Sequence, residues 1–332
     1  MKSRFVVVLI SLMFLAIALL MIAVAVKLYA DWSRDSLSNN YLLPEYPGVK
    51  RLGTTRSDFP HAFNSAWETE NTILFLKLEN KPGGDFYRYS LDSDTLEQVF
   101  QNFLGFMFQL SPDKKYIAFS GWPKESSVHR QIWLASLNSQ PAVIGSKSLS
   151  KYDLGFLGWL YDGKSLMFGY SANKRISIIN KDTEDIVDFS LREGELNVTG
   201  KFTALDSQHV MVNNAAGSGI MVLNISTRTV EVYSYGNSAV GTITRIPSKN
   251  WLVGTIHHPE INNGGGQLFF VPNDNQCVKE PFKDLIGIAK VDAIESGDTI
   301  FLLLEDTYGY LYVMNLNEAL HTKNLGQFFT CP

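Results

Sequence analysis

KYIAF at Lys115–Phe119 is a short apolar strand set directly after a turn, and the chain repeats it. Asn71–Leu76 reads NTILFL, Lys164–Phe168 KSLMF, Gln208–Val212 QHVMV, Asn250–Gly254 NWLVG and Asp298–Leu303 DTIFLL. Centred on Leu74, Ile117, Leu166, Val210, Leu252 and Ile300, successive copies lie 43, 49, 44, 42 and 48 residues apart.

A second element keeps the same phase, an alternating strand that runs into a polar turn. It reads FYRYSLDSDT from Phe86, QIWLASLNSQ from Gln131, RISIINKDTE from Arg175, GIMVLNISTR from Gly219, QLFFVPNDNQ from Gln267 and GYLYVMNLNE from Gly309. Short strands follow these turns, as at Leu96–Phe100, Ile186–Phe189 and Val230–Tyr233. Others precede the first element, as at Gly105–Leu110 and Phe156–Leu160. Each unit therefore holds four strands, and a period of about 45 residues is that of a propeller blade. One such sheet cannot bury both faces alone, so units must stack radially until the ring closes. The expected fold is all-β, a six-bladed β-propeller of four-stranded antiparallel blades over residues 61–332, with seven blades as the alternative count. Val49–Gly53 or Gln327–Thr330 is expected to reinforce the seam between the last blade and the first.

Outward from the repeat, Phe5–Val26 reads FVVVLISLMFLAIALLMIAVAV, without charge or proline. At 1.5 Å per residue it would span roughly 33 Å, enough for a bilayer. Lys2 and Arg4 precede it and a nearly neutral flank follows, which places the N-terminus in the cytoplasm. Residues 1–30 are expected to be a transmembrane helix used as an anchor, residues 31–60 a linker, and the propeller extracytoplasmic, periplasmic or extracellular. A cleaved signal peptide is the competing reading, from Ala23 and Ala25. The balance of 29 Lys+Arg against 33 Asp+Glu gives a net charge of -4, which offers no attraction to a phosphate backbone. Nucleic acid is not expected as a partner on that ground.

The two cysteines, Cys277 and Cys331, fit export as one disulfide tying the C-terminus to the body. Neither has the spacing of a zinc or redox motif. Two sequons, at Asn197 and Asn224, matter only in a host that glycosylates.

LSPDKKYIAFSG at Leu110–Gly121, followed by Gln131-Ile132-Trp133-Leu134, resembles the repeat of the TolB-type propellers, which runs Ser-Pro-Asp-Gly-Lys before an Ile-Ala-Phe strand. Trp159-Leu160-Tyr161-Asp162-Gly163-Lys164 resembles a second copy. Lys114 stands where the motif has glycine, and the Ser-Pro pair is missing from the second copy. The motif residues shape a tight turn and mark a fold, not an active site. What the resemblance implies is a scaffold for protein contact or an accessory domain.

Connections between second and third strands open on one rim of a propeller, where loops on a rigid scaffold form binding sites. A partner- or ligand-binding rim is therefore expected at Trp122, Lys124, Glu125 and His129, Asn213 and Asn214, and His257, His258 and Glu260. Packing between blades is the competing reading for Trp122. A zinc site at His257-His258-Pro259-Glu260 is disfavoured, because adjacent histidines diverge in extended chain. No nucleophile elbow, zincin helix, phosphate loop or dinucleotide fingerprint occurs, and no second domain is left over for a hydrolase. The expectation is a non-enzymatic binding module at the cell envelope without a cofactor. The alternatives are a calcium-dependent hydrolase or lyase built on channel carboxylates, and a sensor of a small sugar or peptide.

Overall fold

A computed structural model describes residues 46–53, 62–78, 83–125, 131–137, 143–148, 154–170, 175–183, 185–190, 200–213, 219–233, 238–246, 248–257, 265–273, 277–322 and 325–331. The expected anchor and most of the linker lie outside them. Among the described residues no helix is long and apolar enough to cross a membrane.

After a short strand β1 (Val49–Arg51), the strands form six successive antiparallel sheets. The first holds β2 (Ala62–Thr69), β3 (Thr72–Leu78), β4 (Gly84–Ser90) and β5 (Thr95–Val99). The second holds β6 (Phe103–Leu110), β7 (Tyr116–Pro123), β8 (Gln131–Ser136) and β9 (Val143–Ser148). The third holds β10 (Leu154–Trp159), β11 (Ser165–Tyr170), β12 (Arg175–Asn180) and β13 (Ile186–Ser190). The fourth holds β14 (Gly200–Ala204), β15 (His209–Asn213), β16 (Ile220–Asn224) and β17 (Thr229–Tyr233). The fifth holds β18 (Ala239–Ile246), β19 (Trp251–His257) and β20 (Gln267–Pro272). The sixth holds β21 (Ile288–Ser296), β22 (Thr299–Asp306) and β23 (Leu311–Asn315), and β1 pairs with β23 as its outermost strand.

The first strand of each sheet is the inner one. β2 contacts β6, β6 contacts β10, β10 contacts β14, β14 contacts β18, β18 contacts β21 and β21 contacts β2, so the inner strands follow one another in a cycle. β10 and β14 come close enough to pair in parallel at Phe156↔Gly200 and Leu157↔Lys201.

Period-two alternation explains the near-continuous apolar strands. Along β7, Ile117 and Phe119 pack with Leu74, Leu76 and Phe86 of the first sheet, whereas Ala118 packs with Leu157, Trp159 and Phe168 of the third. Met167 and Val210 join the third sheet to the fourth, and Met211 and Leu252 the fourth to the fifth. Ile73 and Phe75 pack against Leu303 and Leu311, which joins the first sheet to the sixth. A strand buried on both faces loses its polar alternation.

β1 provides the seam, with Val49 opposite Met314 and Arg51 opposite Tyr312. The other candidate, Gln327–Thr330, does not form a seam strand. After a one-turn helix α1 (Leu316–Ala319), capped by the Asn315 side chain, the chain enters a second one-turn helix, α2 (Leu325–Phe328). Phe328 and Phe329 then pack edge-to-face on Phe270 of the fifth sheet at 5.2 and 6.4 Å between ring centroids. Lys279 Nζ donates to the Phe328 carbonyl at 2.5 Å, and the Cys277–Cys331 disulfide closes the clasp as expected. Lys279 itself exchanges both backbone hydrogen bonds with Phe270, so this segment takes the outer place in the three-stranded fifth sheet.

Candidate functional site

The inner strands end in turns that carry the repeat's aspartates. Asp113 accepts from Ser111 Oγ, and Asp162 from the Lys164 and Ser165 amides and Ser165 Oγ. Asp206 does the same for the Gln208 and His209 amides, a third copy of the turn that the sequence reading passed over. Burial pushes the Asp162 carboxyl up, but the bonds from Ser165 and Lys164 outweigh it and hold the pKa below the usual value. Stability from such a group is present above the ordinary carboxyl range and disappears as pH falls through the lowered folded value. Asp162→Ala is expected to cost about 1–2 kcal/mol near pH 7, with the difference from wild type shrinking below about pH 4. Chemical denaturation across that range checks it, and a difference independent of pH would refute the charge-assisted bonds.

Polar side chains on the first two strands of several sheets tie them to their neighbours. Gln109 accepts from the Trp159 amide at 2.7 Å and donates to the Phe202 carbonyl at 3.0 Å, reaching from the second sheet to the third and fourth. Thr203 Oγ donates to the Ile243 carbonyl, and Thr242 Oγ accepts from the Val291 amide. Asp292 accepts from the Trp67 amide at 2.8 Å and from Thr244 Oγ at 3.1 Å, linking the sixth sheet to the first and fifth. Glu305, 7 % exposed, accepts from the Asn64 and Ser65 amides and from Ser65 Oγ. Buried acceptors with partners of this kind fix geometry because leaving them unmet is costly.

A cavity of about 500 Å³ opens where these inner strands end, lined by all but the first sheet. Gln109, Thr203 and Asp292 contribute its polar wall, Leu160 and Ile294 its apolar wall, and Lys114 and Arg245 its cations. Lys114 sits at φ 57, the left-handed conformation that Gly163 adopts at φ 63 in the next sheet. This is where the repeat motif carries glycine, and a side chain there is strained. Sequence reasoning did not find Gln109, Asp292 or Arg245. The available signal was a polar residue near the end of an otherwise apolar inner strand.

The expected binding rim lies at the opposite ends of the inner strands. Trp122 stands across from Leu104 in register and its ring reaches Gly83 of the first sheet, a packing contact between neighbouring sheets. Lys124 Nζ lies 2.5 Å from Asp85 Oδ1, the carboxylate belonging to a residue only 4 % exposed. This is a close charge contact between the second and first sheets, made by an exposed Lys124. Glu125 is exposed beside it. His257 ends β19 opposite Ala239, its ring over Gly241. Asn213 ends β15 opposite Ile220. His129, Asn214, His258 and Glu260 lie outside the described residues.

No family model matches the chain, and no curated protein matches it by sequence. Solved structures do share its fold. A Bacteroides thetaiotaomicron protein of unknown function is 14% identical with a TM-score of 0.59, over 80% of this chain and 72% of that one. TolB from Acinetobacter baumannii is 18% identical with a TM-score of 0.50, over 76% and 65%. A putative TolB from Agrobacterium tumefaciens is 16% identical with a TM-score of 0.51, over 81% and 96%. Identity this low carries the fold and nothing further, and the body of this chain has the fold of the TolB-type β-propellers.

Proposed function

We propose that the chain is a six-bladed β-propeller acting as a binding scaffold at the cell envelope, held outside the cytoplasmic membrane by the uncleaved Phe5–Val26 anchor. In this reading it carries no cofactor and catalyses no reaction. Its partner is a protein, met on the rim around Glu125, His257, His258 and Glu260. The observation that carries the reading is the state of two carboxylates of the sixth sheet, Asp292 in the cavity wall and the buried Glu305 on β22. Asp292 and Glu305, the side chains a carboxylate-based hydrolase would use, are each engaged by two or more donors that join neighbouring sheets. Groups held in this way position a scaffold and are poorly placed to exchange protons or bind substrate.

The test uses the full chain in its own membranes. Crosslinking followed by purification in detergent is expected to recover one protein partner in fixed proportion to the wild-type chain. The triple variant Glu125→Arg, His258→Ala, Glu260→Ala should lose that partner while keeping the wild-type melting temperature. A chain that purifies alone, or a partner retained by the variant, overturns the proposal.

A further inference from the structure

The cavity at the inner-strand ends has a charge pattern that the scaffold reading leaves unused. Arg245 and Lys114 both line it, and neither has a carboxylate partner among the described residues. Arg245 Nε is buried without a hydrogen bond among those residues. Its guanidinium stands over the Tyr161 ring at 5.6 Å. Asp292, the acidic residue in the wall, already accepts from Trp67 and Thr244. Two cations therefore face one carboxylate in a chain whose overall charge is -4. A guanidinium donates through a fixed planar fork suited to carboxylate or phosphate. Leu160, Ile294 and the exposed Tyr161 ring add an apolar and aromatic surface beside the cations. The volume lies within the range of small-molecule sites.

We propose that this cavity binds a small organic anion, its charged group held by Arg245 and Lys114 and its body lying against Tyr161, Leu160 and Ile294. The site is on the opposite rim from the proposed protein partner and is independent of it. A carboxylate and a phosphate would both satisfy the cations, and the experiment separates them.

The test is thermal unfolding and calorimetric titration of the purified full chain with benzoate, inorganic phosphate and neutral benzamide. Binding to the native state raises the melting temperature. A saturable rise of about 2 °C or more is expected with one of the anions and none with benzamide. Arg245→Met and Lys114→Gly are each expected to weaken that binding at least tenfold. Lys114→Gly is the decisive variant because it removes the ammonium while relieving the left-handed backbone, so its fold should be at least as stable as wild type. Benzoate binding alone identifies a carboxylate headgroup and phosphate binding alone a phosphate, and either outcome supports the proposal. Three results overturn it: no binding of either anion, benzamide binding as well as benzoate, or Lys114→Gly binding anion like wild type. Because no envelope protein is present, this outcome is separate from that of the partner experiment.

Discussion

Replacing Cys331 by serine is expected to lower the stability of the body by about 4 kcal/mol, through the chain entropy restored to the unfolded state when a loop of this size is opened. The disulfide spans 54 residues of sequence, and the loop contains the whole of the sixth sheet, from β21 to β23. That sheet receives β1 and contacts the first sheet, so the covalent link constrains the segment on which the cycle depends. The aromatic clasp of Phe328 and Phe329 on Phe270 and Trp251 remains in the variant and limits the damage to unfolding free energy, with the native fold retained. Guanidinium denaturation of wild type with and without reductant, beside Cys331→Ser, provides the measurement. Reduced wild type should match the variant, and a loss under about 1 kcal/mol would show that the bridge adds little to contacts already made.

Glu305→Ala is expected to cost about 2–4 kcal/mol, because it removes a buried acceptor and leaves the donors it served unmet. Three donors, the Asn64 and Ser65 amides and Ser65 Oγ, lose their acceptor. Ser65 is 2 % exposed, so solvent reaches this junction poorly. Lys290, also buried, stands opposite Glu305 in register and donates to Asn64 Oδ1 at 2.8 Å. The whole set joins the sixth sheet to the first. Glu305→Gln keeps one carbonyl acceptor and should cost less than half as much. Urea titration of the three proteins tests the order. Equal losses for alanine and glutamine would mean that charge alone, and not acceptor count, holds the junction.

The repeat was legible because every sheet buries a strand on both faces, which leaves an apolar run at each recurrence. Its exact phase was harder to read in the first unit. Leu74 shares the period of Ile117, Leu166, Val210 and Leu252, yet those residues pack toward the preceding sheet and Leu74 toward the following one. Ile73, paired with Trp67 as Leu166 is with Trp159, is the true counterpart. A one-residue slip exchanges the faces of a strand, and in a run such as TILFL both faces are apolar, so composition cannot detect it. Residues that join the sheets escaped notice for a different reason. Gln109, Asp292 and Glu305 act on partners one or more sheets away, and no local pattern marks an interaction that only the ring brings into reach. The rim residues share only a loop position, and Lys124, itself exposed, also makes a charge contact with Asp85. Arg245 belongs to a strand that reads as ordinary apolar alternation, its role visible only once the inner strands converge.

The pairing of β1 with β23 has a bearing on how the chain matures. β1, the first strand among the described residues, has no partner until the last sheet has been made, so contacts of great sequence separation complete the structure. Until then the sixth sheet and β1 expose unpaired edges, and the nascent protein is most vulnerable to sticking to other chains late in its production, just before β1 joins β23.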